Sequence, residues 1–416
     1  MTDDATQPSP SIWNGRFVHL LVLEALLQIG MFIINPIISS YLVAIGVSVG
    51  VAGTVAGLNS ITAMAFRPVN GFIADLITKR SLLVGSTLLF LISALGLALS
   101  TEMAAIAFFR ALMGVAFAIK SAVVVVMASA TVPKEKTGQA VGYISMCFAI
   151  STGVGPLLGD WIAHLVGYRI SFALAAALFL AGFLLAVSFK TPAQFLRKPD
   201  EPGLRERAAK ALRSLRLRDL FYLPTLPYTI VTALIMIPQG MMMVMLLALA
   251  EQEGVSGAPW YFLLYAVLTS VTRPIAGTLV DRHGLPIAIV PGTLLMASGM
   301  LLLALRFSFA TIMVTAVLMA LGQGAIFATL QAESVRHCPR EYSGRSANMF
   351  FIGNDIGMGF GPLICGAVFD AFGIRATFGL ACACAIGAFV YFIAFWKRKQ
   401  NAGEFHDQTP AKRYTP

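Results

Sequence analysis

The sequence predicts an all-α membrane protein of twelve transmembrane helices arranged as two pseudo-symmetric six-helix bundles. Three observations predict it. The chain matches itself at one fixed offset: Arg67-Pro68-x-x-Gly71-x-x-x-Asp75 recurs as Arg273-Pro274-x-x-Gly277-x-x-x-Asp281, Gly155-Pro156-Leu157 as Gly361-Pro362-Leu363, and Gly167-x-Arg169-x-x-Phe172 as Gly373-x-Arg375-x-x-Phe378, each pair 206 residues apart. The composition is 57% hydrophobic and 12% charged, with a mean hydropathy of +0.79, where a soluble domain carries about 25% charged residues. Finally, twelve apolar stretches are each long enough for a span, which needs about 20 residues.

The stretches run, in order, over residues 17–42, 50–74, 81–100, 104–130, 139–166 and 169–189, then 223–250, 259–280, 286–305, 310–335, 346–369 and 375–396. Six fall in each half. The chain therefore divides into an N-terminal bundle over 1–189, a basic linker over 190–220, a C-terminal bundle over 221–399 and a polar, disordered tail over 400–416. In the linker, Leu204, Ala208, Leu212 and Leu215 share one helical face with arginines elsewhere. That pattern fits a basic helix on the inner leaflet, and equally a flexible linker that is basic because it faces the cytoplasm.

The net charge of +10 reads as a topology signal. With both termini in the cytoplasm, 23 of the 30 lysines and arginines lie on the inner side, as positive-inside asymmetry requires. The chain offers no soluble basic surface for nucleic acid. Asp3 and Asp4 stand where a secretory signal has a basic region, and no small-residue cleavage site follows, so the first apolar run is read as an uncleaved helix. The five cysteines form no disulfide framework and suit apolar packing. No HExxH, CxxC or P-loop pattern is present, which leaves metal catalysis, ATP hydrolysis and a bound cofactor without support and argues against an enzyme.

Gly71-Phe-Ile-Ala-Asp75-Leu-Ile-Thr-Lys79-Arg80 resembles the loop between helices 2 and 3 of the major facilitator superfamily. Leu76 and Thr78 depart from the family pattern, and the second copy, Gly277 to Asp281-Arg282-His283-Gly284, keeps both of those positions. The resemblance covers nearly the whole chain and implies a transporter whose halves rock about a central pocket. It also implies a gating role for Arg67, Gly71, Asp75, Arg273, Gly277, Asp281 and Arg282. The glycines let helices approach closely, and each Asp faces the positive end of a helix in the opposite half. Arg110-x-x-x-Gly114-x-x-x-Ala118 resembles a helix-4 stretch of proton-coupled members. Gly155-Pro156 and Gly159 resemble the helix-5 motif of exporters, with Ser151 and Asp160 standing where that motif has glycines. Such a Gly/Pro helix suits the interface between the halves, as does its repeat at Gly361-Pro362.

Intramembrane charges are functional candidates by default. Lys120 lies too deep to snorkel, and Glu24 is its candidate partner. The two form either a static ion pair or one that breaks on protonation. Asp355 lies near the midplane of helix 11, either as an isolated proton site or as a hydrogen-bonded carboxyl beside Asn354. Arg110 and Asp160 sit at similar depth and are candidate partners in an outer relay. Asp370 reads as solvated and His164 as ordinary. The expected cavity draws on Gln28 and Asn35 of helix 1 and on Gln239, Met242 and Met243 of helix 7, a Met-rich wall suited to varied apolar ligands.

These features predict a monomeric, multi-pass protein of the inner (cytoplasmic) membrane. It is expected to exchange protons for small amphipathic or hydrophobic molecules as a multidrug-type efflux antiporter, with lipid, protons and a small-molecule substrate as its partners. An uptake symporter or facilitator for a polar metabolite, and an exporter of an endogenous metabolite such as a metallophore, remain alternatives. A non-transporting receptor or scaffold would have no use for a gating Asp in both halves.

Overall fold

The computed structural model describes residues 12–133, 136–190, 222–336, 338 and 343–401, leaving undescribed a few side chains near helix ends, those of Asp75 and Asp281 among them. Six helices form the first half: α1 (Gly15–Ala44), α2 (Val49–Leu76), α3 (Lys79–Leu99), α4 (Met103–Thr131), α5 (Thr137–Val166) and α6 (Tyr168–Ser188). The second half opens with α7 (Leu223–Gln252), followed by α8 (Trp260–His283), α9 (Pro286–Leu305) and α10 (Phe309–Arg336). A last helical stretch, Ser343–Asn401, breaks at Gly373 into α11 and α12. Its apolar part is 54 residues long, about 80 Å at 1.5 Å per residue, against a hydrocarbon core of about 30 Å. It therefore crosses twice, and the described chain makes twelve crossings.

Local chemistry sets the helix ends. The side chains of Asn14, Ser48 and Thr78 accept hydrogen bonds from the backbone N–H groups of Phe17, Val51 and Ser81, capping α1, α2 and α3. Gly167 (φ 102°) and Gly373 (φ 76°) make the tight turns between α5 and α6 and between α11 and α12. These repeat-related positions carry a backbone conformation that glycine adopts without steric cost, so the sequence duplication is also a duplication of geometry.

The termini of the bundle share one end, termed here the terminal end; the opposite, distal end holds the α1–α2, α5–α6, α7–α8 and α11–α12 turns. The halves meet along α2–α11, α5–α8 and α1–α7. A Cβ on Gly53 or Gly57 of α2 would fall on the carbonyl oxygens of Pro362 and Gly359 of α11, so these backbones touch directly. The exporter-like motif serves a different contact from the one expected. Gly155 and Gly159 press against Phe32, Ile33 and Ile37 of α1, within the first half. Gly153, on another face of α5, meets Leu263 and Ala266 of α8 across the halves. In the second half Gly357 and Gly361 repeat the arrangement against α7 at Met236, Ile237 and Gly240.

Hydrogen bonds join the halves at the distal end. The Tyr168 hydroxyl donates to Glu251 Oε1 at 3.3 Å, the Gly50 N–H donates to Asp370 Oδ2 at 2.7 Å, and Ser39 Oγ donates to the Val244 carbonyl. Asp370, read from sequence as a solvated carboxylate, is thus a latch between α11 and the start of α2. Toward the terminal end, Gly277 of α8 has nothing within 4 Å of an added Cβ, so the close approach expected there is not made. Gating contacts of Asp75 and Asp281 lie outside the described residues, as do the linker beyond Lys190 and the tail beyond Asn401. Arg282 is exposed.

Candidate functional site

A cavity with about 80 Å³ of room for the centres of water-sized molecules lies between the halves. Seven helices plus α4 line it: α1 gives Met31, Phe32 and Asn35, α2 gives Asn59 and Ser60, and α4 gives Arg110 and Phe117. From the second half, α7 gives Gln239 and Met243, α8 gives Tyr265 and Arg273, α10 gives Gln323 and Phe327, and α11 gives Asn354 and Asp355; α5 contributes Phe148 and Thr152.

The α7 wall follows from one proline. Pro238 lacks an N–H and its ring crowds the carbonyl four residues earlier. The helix continues as a π-turn over Met241–Met245. Gln239 and Met243, four residues apart, both face the cavity; Met242 is fully buried and does not line it, contrary to expectation. Gln28 also turns away, its Nε2 donating to Glu24 Oε1 at 2.8 Å.

Asp355 is not isolated. It accepts a bidentate pair from Arg67 of α2, with Nη2 on Oδ1 at 3.1 Å and Nε on Oδ2. Both side chains are buried, at 6% and 2% exposure, and the Arg67 guanidinium sits 5.0 Å above the Phe351 ring. Asn354 Nδ2 adds a hydrogen bond to Oδ1 at 3.2 Å. The sequence showed two lone intramembrane charges here, but they close one pair across the halves.

Lys120 Nζ donates to Glu24 Oε1 at 2.8 Å, with both side chains at 3% exposure or less. Glu24 Oε2 and Gln28 Oε1 have no hydrogen-bond partner among the described residues. This pair lies within the first half.

Arg110 does not reach Asp160. Its guanidinium donates to the Ala56 carbonyl at 3.0 and 3.2 Å and to Asn35 Oδ1 at 2.9 Å. Asp160 instead stands 3.5 Å from His164 Nδ1, one helical turn away on α5. Those two residues and Glu251 of α7 bring potential ligand atoms within 4.8 Å of one another at the distal end, so His164 is part of a cross-half polar cluster.

Sequence reading missed Asn59, Tyr265, Gln323 and Phe327. It assigned Arg273 to gating, whereas the side chain lines the cavity, 5.6 Å from the Phe327 ring, with Nε unpartnered. The Tyr265 hydroxyl donates to Gln323 Oε1 at 2.6 Å beside it. The 206-residue offset from Arg67 was the available signal that Arg273 sits at equivalent depth in its helix, where it is half-buried.

Comparison with known proteins agrees with this architecture. The chain is 30% identical over 178 residues to the multi-drug resistance efflux pump PmrA of Streptococcus pneumoniae, a match taking in 42% of this chain and 41% of the pump. It is 21% identical over 365 residues to an uncharacterized transporter of Methanocaldococcus jannaschii, covering 87% and 91% of the two chains. A solved structure of a peptide transporter, POT, in complex with sulfate superposes with a TM-score of 0.77 at 13% identity over 95% of this chain and 97% of that one, a likeness of fold. The family description "Major Facilitator Superfamily" matches residues 20–259 and 228–414. With this duplicated bundle, its central cavity and that match over nearly its whole length, the chain belongs to the major facilitator superfamily.

Proposed function

We propose that this protein is a proton-driven exporter of small amphipathic molecules that works by alternating access, as a monomer in the cytoplasmic membrane with both termini inside. The observation that carries the reading is the Arg67–Asp355 pair, a buried ionic link between the halves at the wall of the cavity. Pairing with Arg67 and binding a proton are mutually exclusive demands on Asp355. A proton reaching its carboxyl through the cavity discharges one partner and leaves the other guanidinium uncompensated. The link between α2 and α11 then weakens, and the halves are free to rock about their glycine contacts. The distal latches at Tyr168–Glu251 and Gly50–Asp370 break in the same motion. Glu24 and Lys120 form a second buried pair open to the same competition. The apolar Met and Phe wall accepts varied ligands by repacking, and the similarity to an efflux pump supports the outward direction.

The test is reconstitution into liposomes with an imposed pH gradient and a fluorescent amphipathic dye. Gradient-driven dye movement that stops in Asp355→Asn supports the reading. Flux indifferent to the gradient, and unchanged in Asp355→Asn and Glu24→Gln, sinks proton coupling.

A further inference from the structure

The cavity's charges do not balance. Among the described residues three charged side chains line it: Arg110, Arg273 and Asp355. Asp355 is neutralised by Arg67. Arg110 spends its hydrogen bonds on uncharged oxygens, the Ala56 carbonyl and the Asn35 amide. Arg273 rests against Phe327, and its Nε has no partner. Among the described residues neither guanidinium is ion-paired, and Arg cannot shed its proton to escape the cost.

The duplication explains how this arose. Arg67 and Arg273 are repeat counterparts, while the counterpart of Asp355 is Ala149. The first half's arginine has a carboxylate; the second half's equivalent arginine has none among the described residues. Arg110 is buried and Arg273 half-buried, with its Nε enclosed; a cation enclosed without a charged partner is costly, and one lining a ligand cavity marks where a ligand's charge belongs.

We infer that the substrate is an amphipathic organic anion whose carboxylate is held by Arg273, with Arg110 adding positive potential from the opposite half. This deepens the proposed transport function and rests on it. A planar guanidinium presents two parallel N–H donors that match a carboxylate. Phe32, Phe148, Met31, Met243 and Met358 receive the apolar body; Phe32 and Phe148 already stand edge to face at 5.1 Å. The carbonyl oxygens of Gln239 and Asn59, both buried at the cavity and unpartnered, accept from a hydroxyl or amide on the same ligand. A cationic ligand meets two like charges and is disfavoured.

The experiment uses the purified full chain in lipid nanodiscs and three probes of one shape: naphthalene-2-carboxylate, its neutral amide, and the aminomethyl cation. Affinities come from ligand-dependent thermal unfolding. The carboxylate is expected to bind about tenfold or more tightly than the amide, as a charged hydrogen-bonded pair requires, and the cation most weakly. In Arg273→Gln the carboxylate should lose most of its advantage over the amide, keeping only the small part that Arg110 supplies, and the amide should be unchanged; Arg273→Lys should retain more of the preference. Unliganded Arg273→Gln should unfold no earlier than wild type, because no ion pair is lost. Should that variant fail to fold, the wild-type ranking and Arg273→Lys still decide. Equal or tighter binding of the amide or cation, a carboxylate preference undiminished in Arg273→Gln, or no response to the carboxylate overturns the inference. Proton-driven liposome flux of the amide or cation alone would leave the transport reading standing and remove this one. Carboxylate binding without gradient-driven flux would do the reverse.

Discussion

Arg67 and Asp355 lie 288 residues apart in the chain and join the two halves of the molecule through two hydrogen bonds, buried between α2 and α11. Removing one partner of such a pair leaves an uncompensated charge. Asp355→Asn should therefore destabilise the protein by about 3–5 kcal/mol. The double variant Arg67→Gln/Asp355→Asn should recover much of that loss while gradient-driven flux stays abolished. Thermal unfolding and liposome flux on the same preparations separate the two effects; recovery of flux in the double variant would remove the pair from the coupling mechanism.

The Glu24–Lys120 pair distinguishes a static brace from a coupling element. Lys120→Met should cost about 3–5 kcal/mol because Glu24 is left without its cation. Glu24→Gln/Lys120→Met should unfold close to wild type, giving a large interaction term in the double-mutant cycle. If that double variant also retains proton-driven flux, the pair is a brace.

Gly57 and Gly277 should respond differently to gaining a side chain. Gly57→Val forces a side chain onto the Gly359 carbonyl and should prevent the halves from closing at the distal end, seen as loss of folded protein. Gly277→Ala meets open space and should leave unfolding within about 1 kcal/mol of wild type. Its effect should appear in flux, because the proposed cycle brings the terminal ends of α5 and α8 together. Unchanged flux would show that no close approach occurs at Gly277.

Tyr168→Phe deletes a hydrogen bond that joins α6 to α7 at the distal end. One such bond contributes about 0.5–1.5 kcal/mol, a shift of roughly two- to tenfold toward the state open at that end. A cysteine introduced as Asn35→Cys in a cysteine-free background should react correspondingly faster with a membrane-impermeant thiol reagent added from the distal side. An unaltered labelling rate would show that this bond does not hold the gate.

Much of the fold was legible because its signals are local. Apolar runs of sufficient length have few options in a bilayer, since every backbone group must be satisfied within the segment. Gly167 and Gly373 marked the two tight distal turns. The candidate site was legible in its ingredients: Arg67, Asp355, Glu24, Lys120, Asn35, Gln239 and Met243 were all singled out. Its wiring was less so. Arg110 was assigned to Asp160 on depth alone, yet depth does not say which way a helix is rotated. Gly155 was placed at the interface between halves, yet α5 uses Gly153 there, because residues two apart lie on nearly opposite helix faces.

By itself the sequence determined the duplication, the twelve crossings and the presence of charges that hydrocarbon does not tolerate alone, since each follows from residue type and spacing along one segment. Tertiary structure alone decided that Asp355 answers Arg67, that Lys120 answers Glu24, and that Arg273 meets no carboxylate among the described residues. Those outcomes depend on which helix faces which across the interface, a relation between segments hundreds of residues apart that no local periodicity encodes.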